Sequence, residues 1–398
     1  MTQRDVDICI IGGAGHVGLP LALVFAAAGQ RVIIYDLNAD ALKQIAGGTM
    51  PFIEYGAEPL LQAALRDQRL LFSSDPRDMA RAKHIIVAVG TPVDEYLNPK
   101  LRALIDLFKA NKPNLDPDQT IIIRSTVFPR TCRFVLRALN EDGHNWHVAY
   151  CPERIAQGHA IRELKDLPQI VSGCSEEAVR RATELFSLIA PQVITLEVEE
   201  AELAKLFSNA WRYIQFAAAN QFYMVAESIG LDFTRVRQAM VDGYGRAASL
   251  PGAGFAAGPC LLKDTMQLAA FNNNSFTLGH AAMAINEGLP NYLVDSLSRR
   301  HKLSEMRVGI LGMAFKADID DIRDSLSYKL GKVLRFQGAQ VLYSDEFAKD
   351  PTFITKEQLV ASSDVVFVGV PHSAYKTLVV PDGVDVVDLW GVLPINSP

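Results

Sequence analysis

Short apolar runs that end in glycine or an acid recur along the chain and predict the strands of an α/β protein. Residues 6–11 form the first run, and residues 30–36, which close on Asp36, form the second. An apolar segment from Leu19 to Ala28 lies between them and predicts a helix that ends at Gly29. The order strand, helix, strand indicates the opening of a parallel sheet.

Three further runs extend this pattern, at residues 84–92, 120–126 and 146–152. Helical patterns between them predict a parallel sheet that is covered on both faces. Ligands of such sheets bind at the carboxyl ends of the strands. The candidates at these ends are Thr91, Ser125, Thr126 and Glu153.

The middle of the chain is helical in pattern, and its longest segment runs from Glu197 to Ile229, with Gly230 as its end. Lys205, Asn209 and Arg212 share one face of that helix. From spacing alone, a solvated surface stripe is the simpler interpretation of such a face.

The last hundred residues repeat the first pattern. Residues 306–312 predict a strand that enters a glycine turn, 341–345 match the strand before Asp36, and 364–371 match 84–92. The sequence therefore predicts two Rossmann-like doubly wound domains joined by a long central helix and a helical middle domain. We expect the boundaries to give domains at 1–196, 197–300 and 301–398.

Composition narrows the class of protein. The 398 residues are 49% hydrophobic and 21% charged, and no apolar run is long enough to cross a bilayer. A net charge of −6 provides no basic field for nucleic acid or anionic lipid. Five cysteines without metal-ligand spacing fit a reducing compartment and predict no metal site. Because the first residues lead directly into a strand without a signal sequence, we expect a cytoplasmic protein.

The strongest local motif is G-x-G-x-x-G at Gly13, Gly15 and Gly18, which directly follows the first predicted strand. The glycines allow a tight turn, close approach of a pyrophosphate and close packing of helix on strand. Asp36 follows at the distance where an acid accepts the ribose hydroxyls and repels a 2′-phosphate. The motif therefore predicts NAD as cofactor, with His16 and Val17 in the phosphate loop.

Six segments occur in an order that resembles the UDP-glucose and GDP-mannose dehydrogenases, the nucleotide-sugar 6-dehydrogenases, over nearly the whole chain. They are Gly90-Thr-Pro92, Ser125-Thr-Val127, Pro152-Glu-Arg154, Ala201–Asn209, Cys260-Leu-Leu-Lys-Asp264 and Gly312–Ser325. The Cys-Pro-Glu-Arg of residues 151–154 is most similar to members that act on UDP-N-acetylmannosamine or UDP-N-acetylglucosamine. Such enzymes supply polysaccharide precursors.

The resemblance implies a role for each matching residue. Cys260 is the nucleophile, Asp264 handles a proton or water beside it, and Lys205 and Asn209 stabilise an oxyanion. Thr126 and Glu153 organise a water and act in general base chemistry. The implied NAD contacts are Gly13, Gly15, His16, Val17, Gly18, Asp36, Thr91, Ser125, Thr126 and Lys263. The implied substrate contacts are Glu153, Arg154, Lys205, Asn209, Gly254, Lys316, Arg323 and, from a neighbouring subunit, Arg246.

The implied activity is a two-step, four-electron oxidation of a UDP-sugar to its uronate, and the implied assembly is a homodimer through the central helix. Three departures from the family pattern affect loops: Gln157 replaces a second glutamate, Leu262 replaces a proline, and Phe128-Pro-Arg-Thr131 replaces Pro-Gly-Thr. The alternatives are a UDP-glucose 6-dehydrogenase, a one-step dehydrogenase of the hydroxyacid type, and a non-catalytic dinucleotide-binding regulator. Cys260 would be a structural thiol in the last.

Overall fold

A computed structural model describes residues 4–91, 93, 94, 100 and 102–394 of the chain. The chain divides into two units, Met1–Phe207 and Ser208–Pro398. Pro92 of the Gly90-Thr-Pro92 segment lies outside the described residues. The division into three domains at residues 196 and 300 stays a prediction.

The first unit is built on one eight-stranded sheet. Its strands are β1 (Val6–Ile11), β2 (Val32–Tyr35), β3 (Leu70–Ser73), β4 (Ala82–Val87), β5 (Thr120–Ile123), β6 (His147–Tyr150), β7 (Gln169–Gly173) and β8 (Val193–Thr195). Their spatial order is β3-β2-β1-β4-β5-β6-β7-β8. Every neighbouring pair is parallel except β6 and β7, which are antiparallel. The sheet is therefore mixed at one pair, where the sequence predicted a parallel arrangement.

Helices cover both faces of this sheet, as predicted. They are α1 (Gly18–Ala27), α2 (Ala39–Ala46), α3 (Ala57–Arg66), α4 (Arg102–Asn111), α5 (Thr131–Leu139), α6 (Ala160–Asp166) and α7 (Glu176–Phe186). Alternate residues of β1 enter two different apolar clusters, Ile8 and Ile10 one of them and Cys9 and Ile11 the other. This alternation is the period-2 geometry of a strand that is buried on both sides.

Four helices form the middle of the chain: α8 (Val198–Ser228), α9 (Phe233–Val241), α10 (Leu261–Phe271) and α11 (Thr277–Ser298). The long predicted helix is confirmed to within a residue at each end. Gly230 follows α8 with a φ of 73°, a left-handed conformation that glycine adopts without steric cost. No described helix is both long and apolar enough to span a membrane.

The C-terminal part of the second unit contains a four-stranded parallel sheet. Its strands are β9 (Arg307–Leu311), β10 (Gln340–Ser344), β11 (Val365–Val368) and β12 (Asp385–Val387), and helices α12 (Leu326–Phe336) and α13 (Lys356–Ser362) belong to the same region. The order β10-β9-β11-β12 repeats the order β2-β1-β4-β5 of the first sheet. The predicted second Rossmann-like fold is therefore confirmed.

Candidate active site

The glycine loop between β1 and α1 has the geometry of a phosphate-binding turn. A Cβ atom on Gly13 would lie 2.7 Å from the Ile10 carbonyl oxygen, and one on Gly18 would lie 2.4 Å from that of Gly12. Larger residues are therefore excluded at both positions. Gly15 is different, because the nearest atom to a Cβ there would be the Gly12 carbonyl oxygen at 3.4 Å, an ordinary van der Waals contact. A ligand can approach the backbone there.

Asp36 connects the end of β2 to this loop. Its Oδ2 accepts a hydrogen bond from the Ala14 N–H at 3.1 Å, and its Oδ1 accepts one from the Asn38 N–H at 3.0 Å. The carboxylate is only half-buried, and each oxygen can accept a second donor. No described side chain caps α1 at Val17, so first-turn N–H groups are available to phosphates. These features fit the diphosphate and ribose of NAD.

His16 is in contact with two other segments of the first unit. Its ring lies 3.9 Å from the ring of Phe52, measured between centroids, and its Nδ1 lies 3.0 Å from Nε2 of Gln157. Gln157, one of the three residues or segments that differ from the family pattern, therefore contacts the phosphate loop.

The strand ends place the predicted polar residues in different settings. Ser125 is buried, and its hydroxyl donates to the carbonyl oxygen of Val89 at 2.6 Å, which braces the loop after β4. Thr126 and Thr91 are half-buried at the ends of β5 and β4. Their contacts with cofactor or substrate stay predictions.

Glu153 and Lys205 form a buried ion pair in the first unit. Lys205 Nζ donates to Oε1 of Glu153 at 2.9 Å, and the side chains are 5% and 12% exposed. Burial alone would raise the pKa of Glu153, but the charge and hydrogen bond of Lys205, the charge of Arg124 and the Ile155 N–H together hold that pKa below its ordinary value. Glu153 is therefore ionised at neutral pH. The neighbouring Arg154 donates to the carbonyl oxygen of Pro168.

The surface-stripe interpretation of α8 is wrong for two of its three residues. Lys205 and Asn209 are buried, whereas Arg212 is exposed. The long pattern predicted the helix but could not show which face is covered.

Sequence reasoning missed Arg124, the largest fully buried side chain. Its Nη1 donates to the Cys151 carbonyl oxygen and to Gln169 Oε1, both at 3.0 Å, and its guanidinium lies 5.2 Å from the centre of the Phe186 ring. Burial lowers its pKa, and the charge of Glu153 opposes that effect. The sequence did offer one indication of its burial, because Arg124 directly follows the apolar run Thr120–Ile123.

The second unit contains the candidate nucleophile. Cys260 is the exposed member of the five cysteines and occupies the N-cap position of α10. Cys9, Cys132 and Cys151 are buried and Cys174 is half-buried. Burial raises the pKa of Cys151 to about 12 and that of Cys174 to about 11. Only Cys260 combines access with a helix N-terminus, a position that favours a thiolate.

Asp264 lies one turn into α10 and is fully buried. Its Oδ2 accepts a hydrogen bond from Nδ2 of Asn209 at 2.6 Å, and Lys263 Nζ lies 3.5 Å from its Oδ1. Its backbone N–H donates to the carbonyl oxygen of Cys260 at 2.8 Å. Three of the residues assigned by resemblance are thus joined to Cys260 in one local network: Asn209, Lys263 and Asp264.

Arg323 and Lys316 lie in the loop between β9 and α12. Arg323 forms a two-pronged ion pair with Asp321, with Nη2 2.6 Å from Oδ2, and remains 55% exposed. That hydrogen bond raises the pKa of Arg323, and negative charge at Cys260 adds to the effect. Lys316 is half-buried. The arginine therefore lies within electrostatic range of the thiol.

Packing explains Gly254 without any ligand. A Cβ there would lie 2.2 Å from the Trp390 ring, and the residue has a φ of 156°. Asn220 accepts from its N–H at 2.8 Å and donates to its carbonyl oxygen at 3.0 Å. Arg246 is exposed, with its guanidinium carbon 6.0 Å from the Tyr244 ring centre. The substrate contacts of Gly254 and Arg246 stay predictions.

The two Rossmann-like folds use their corresponding acids differently. Asp345 follows β10 as Asp36 follows β2, but its side chain is completely buried. Its two oxygens accept from the N–H groups of Met313, Ala314, Phe347 and Ala348 and from Nε2 of His372. The Asp318 N–H donates to Nδ1 of His372, which leaves Nε2 as the donor to Asp345. The acid of the second fold is therefore structural.

No set of three or more histidine, cysteine, aspartate or glutamate residues in the described part of the chain could hold a metal ion.

Comparison with known proteins gives three family matches along the chain. The NAD binding domain of the UDP-glucose/GDP-mannose dehydrogenase family matches residues 6–190, its central domain matches 199–288, and its UDP binding domain matches 309–394.

The relatives are named for different sugar substrates. The chain is 28% identical to the UDP-N-acetyl-D-mannosamine dehydrogenase of Pyrococcus horikoshii, over 92% of this chain and 90% of that protein. It is 27% identical to the NDP-N-acetyl-D-galactosaminuronic acid dehydrogenase of Ralstonia nicotianae, over 94% and 93%. The solved structure of a UDP-glucose dehydrogenase from Pyrobaculum islandicum is 27% identical and superposes with a TM-score of 0.90, over 98% and 96%. The three domain matches cover most of the chain in order, and the chain therefore belongs to the UDP-glucose/GDP-mannose dehydrogenase family as an NAD-dependent dehydrogenase of nucleotide sugars.

Proposed function

We propose that this enzyme oxidises the 6-hydroxyl of UDP-N-acetylmannosamine to the uronate in two steps, through a thioester on Cys260. The observation that carries the proposal is the exposed thiol at the N-cap of α10, followed by Lys263 and Asp264. A one-step alcohol dehydrogenase needs no such thiol, whereas a second oxidation needs the aldehyde held as a covalent adduct.

The glycine loop and Asp36 would hold NAD, which would supply the hydride acceptor for both oxidations at carbon 6. In the first, the hydroxyl proton passes to a base. Glu153 is suited to that role, because it is ionised and Lys205 orients it. Thr126 is proposed to order the water that relays the proton.

In the second oxidation, the Cys260 thiolate adds to the aldehyde carbon, and the resulting alkoxide is stabilised by donors from Lys205 and Asn209. Loss of the hydride leaves the thioester. Water then adds to the thioester carbonyl, the C–S bond breaks, and the products are the carboxylate, the Cys260 thiol and a proton. Asp264, which accepts from Asn209, is the group proposed to take that proton.

The UDP portion is assigned to the second Rossmann-like fold. Lys316 and Arg323 supply cationic groups for the diphosphate or sugar, and the loop of Gly254 supplies backbone groups. Arg246 is proposed to act from the partner of a homodimer, consistent with its exposure. The Cys-Pro-Glu-Arg segment and the names of relatives such as the Pyrococcus horikoshii enzyme support the N-acetylmannosamine group.

UDP-N-acetylglucosamine remains the nearest alternative sugar, since the same segment resembles both groups. UDP-glucose is a further candidate because the Pyrobaculum islandicum UDP-glucose dehydrogenase has a TM-score of 0.90. An assay of each UDP-sugar, with GDP-mannose as the comparison substrate, tests these candidate substrates. It measures the number of NADH molecules formed per sugar consumed. We expect two NADH per UDP-N-acetylmannosamine, and activity on UDP-glucose alone would overturn the proposed substrate.

The thiol requires its own test. Cys260→Ala should abolish uronate formation while NAD still binds, and Cys174→Ala should retain activity as the matched cysteine control. Turnover of the Cys260 variant at the rate of the parent enzyme, with one NADH per sugar, would support the one-step alternative. NAD binding without turnover of any sugar by the parent enzyme would support the regulator.

A further inference from the structure

Gln157 lies where three segments of the first unit meet. Its Nε2 is 3.0 Å from Nδ1 of His16 in the glycine loop. The His16 ring packs on Phe52, and two hydrogen bonds join the segment of Phe52 to Gly158, the residue after Gln157. Those bonds join the Gly158 N–H to Oε2 of Glu54 at 3.0 Å and the Tyr55 N–H to the carbonyl oxygen of Gly158 at 3.1 Å. The backbone beside the glutamine is therefore anchored through Gly158.

The same segment carries Glu153 at its start. Glu153 is anchored to Lys205 at one oxygen and to the Ile155 N–H at the other. Gln157 follows four residues after Glu153, so a short anchored segment connects the proposed base to the phosphate loop.

The hydrogen bond also decides the chemistry of His16. With Nε2 of the Gln157 amide facing His16, that nitrogen donates, Nδ1 of His16 accepts, and the ring proton of the neutral imidazole lies on Nε2. His16 then presents an N–H donor on the side of the ring away from Gln157, in a loop whose backbone binds a diphosphate.

We propose that Gln157 is a positioning residue for NAD, which fixes the orientation and tautomer of His16 and joins the phosphate loop to the segment of Glu153. The inference requires NAD at the glycine loop but does not depend on the identity of the sugar. Gln157 acts through His16, and its neutral amide brings no negative charge to that contact.

A double-mutant cycle on NAD affinity tests the mechanism directly. Isothermal titration calorimetry without sugar nucleotide measures Kd for Gln157→Ala, His16→Ala and the double variant. Loss of an orienting hydrogen bond should weaken NAD binding about three- to tenfold in each single variant. If Gln157 works through His16, the double variant should be no weaker than His16→Ala alone. Additive losses, or an unchanged Kd in Gln157→Ala, would overturn the proposal.

A variant that adds a charge at residue 157 tests the proposal through the pH dependence of the Kd for NAD. A purely structural role of Gln157 would leave that pH dependence unchanged. In Gln157→Glu, a carboxylate beside Nδ1 favours the protonated ring, and a cationic His16 attracts the diphosphate more strongly at lower pH. Kd for NAD should fall about threefold or more between pH 8.5 and 6.5 in this variant and change less than about twofold in the parent enzyme. Equal pH profiles would contradict the inference.

Other charged groups on the contacting segments must be considered in that pH profile. They are Glu54, Glu153, Arg154, His159 and Glu163. Glu54, Glu153 and Glu163 are each engaged by backbone N–H groups or Lys205, Arg154 donates to Pro168, and the ring of His159 is stacked on Tyr55. All five are present in every variant, so only the charge at residue 157 differs.

Gln192→Glu is the matched control, because it adds the same charge at an exposed glutamine of the same unit. It should leave the Kd for NAD and its pH profile unchanged. A KM for the UDP-sugar that stays within about twofold in Gln157→Ala separates NAD positioning from general damage to the site. The binding assay needs no turnover, so a failure to form uronate would refute only the proposed function.

Discussion

Accessibility separates the thiol of Cys260 from the other four. Cys260 is exposed at a helix N-terminus, and burial raises the pKa of Cys151 and Cys174 far above neutral. Alkylating reagents must reach a sulfur and react with its thiolate form. The buried thiols react slowly for both reasons, because reagent cannot reach them and because their raised pKa keeps them protonated.

Iodoacetamide at pH 8 should therefore modify Cys260 before any other cysteine. Peptide mass spectrometry after substoichiometric labelling identifies the modified residue, and Cys260→Ser should remove the rapid phase. Rapid labelling of Cys151 or Cys174 in the folded enzyme would show that the accessibility argument fails.

The pair of Glu153 and Lys205 has a predictable pH dependence. The pKa of Glu153 is below its ordinary value of 4.5, so the pair stabilises the fold fully above that pH, and the contribution is lost as the pH falls through the lowered pKa. Lys205→Met leaves a buried carboxylate without its cation, which costs about 3–5 kcal/mol of stability at pH 7.

Urea denaturation at pH 7 and pH 4 checks this prediction. The stability difference between Lys205→Met and the parent enzyme should shrink at pH 4, because burial without the lysine raises the pKa of Glu153 in the variant and protonation there removes the buried charge. Lys109→Met is the control, since the exposed pair of Lys109 with Glu141 contributes at most about 1 kcal/mol. A difference that is constant with pH would mean that Lys205 acts through packing alone.

At the same scale, the sequence predicted the identity of the site residues better than their surroundings. Motif order identified Lys205 and Asn209, but spacing alone placed them on a solvated face, and both are buried. Arg124 was missed because its burial depends on Cys151, Gln169 and Phe186, which are distant in sequence. No local pattern encodes such a contact.

Among the elements, long and strongly periodic segments were predicted well. β1 has the predicted bounds and α8 differs by one residue at each end. The short strands β3, β7 and β8 were not predicted, and β8 has only three residues, none of them buried. Their pairing, including the antiparallel contact of β6 with β7, is set by tertiary neighbours that a local pattern cannot show.

The loop that leads to Cys260 depends on one buried amide of α8. Asn220 makes two hydrogen bonds to the backbone of Gly254 and one to Asn286, which in turn donates to the Tyr213 carbonyl oxygen. Asn220→Ala would leave several buried polar atoms without partners and should destabilise the fold by about 2–4 kcal/mol.

Denaturant unfolding measures that loss, and kcat should fall with it because the loop positions the nucleophile. Gln238→Ala is the control, since it removes a surface hydrogen bond to Asp242 and should change stability by less than about 0.5 kcal/mol. An Asn220 variant as stable as the parent enzyme would contradict this account of the loop.

For the whole molecule, the most informative surface feature is an apolar stripe along α8. Its members in the second unit are Trp211 (57% exposed), Phe222 (46%) and Val225 (57%). At 3.6 residues per turn they fall within an arc of about 60°, so they form one continuous face. Such a face is typical of an interface and supports the predicted homodimer.

Trp211→Glu should therefore convert a dimer to a monomer, because a charge at the centre of an apolar interface cannot be solvated there. Light scattering after size exclusion measures the mass. Phe336→Glu, at an aromatic that is 86% exposed on α12, should leave the mass unchanged. A parent protein that is monomeric at micromolar concentration would refute the predicted assembly.

The repeated architecture also has a consequence for competition between substrates. In the first fold Asp36 keeps acceptor capacity for a ribose, whereas in the second all of Asp345 is engaged by five donors of the protein itself. A dinucleotide would have to break that set of bonds to bind at the second fold. NAD in large excess should therefore not displace a sugar nucleotide bound at the second fold.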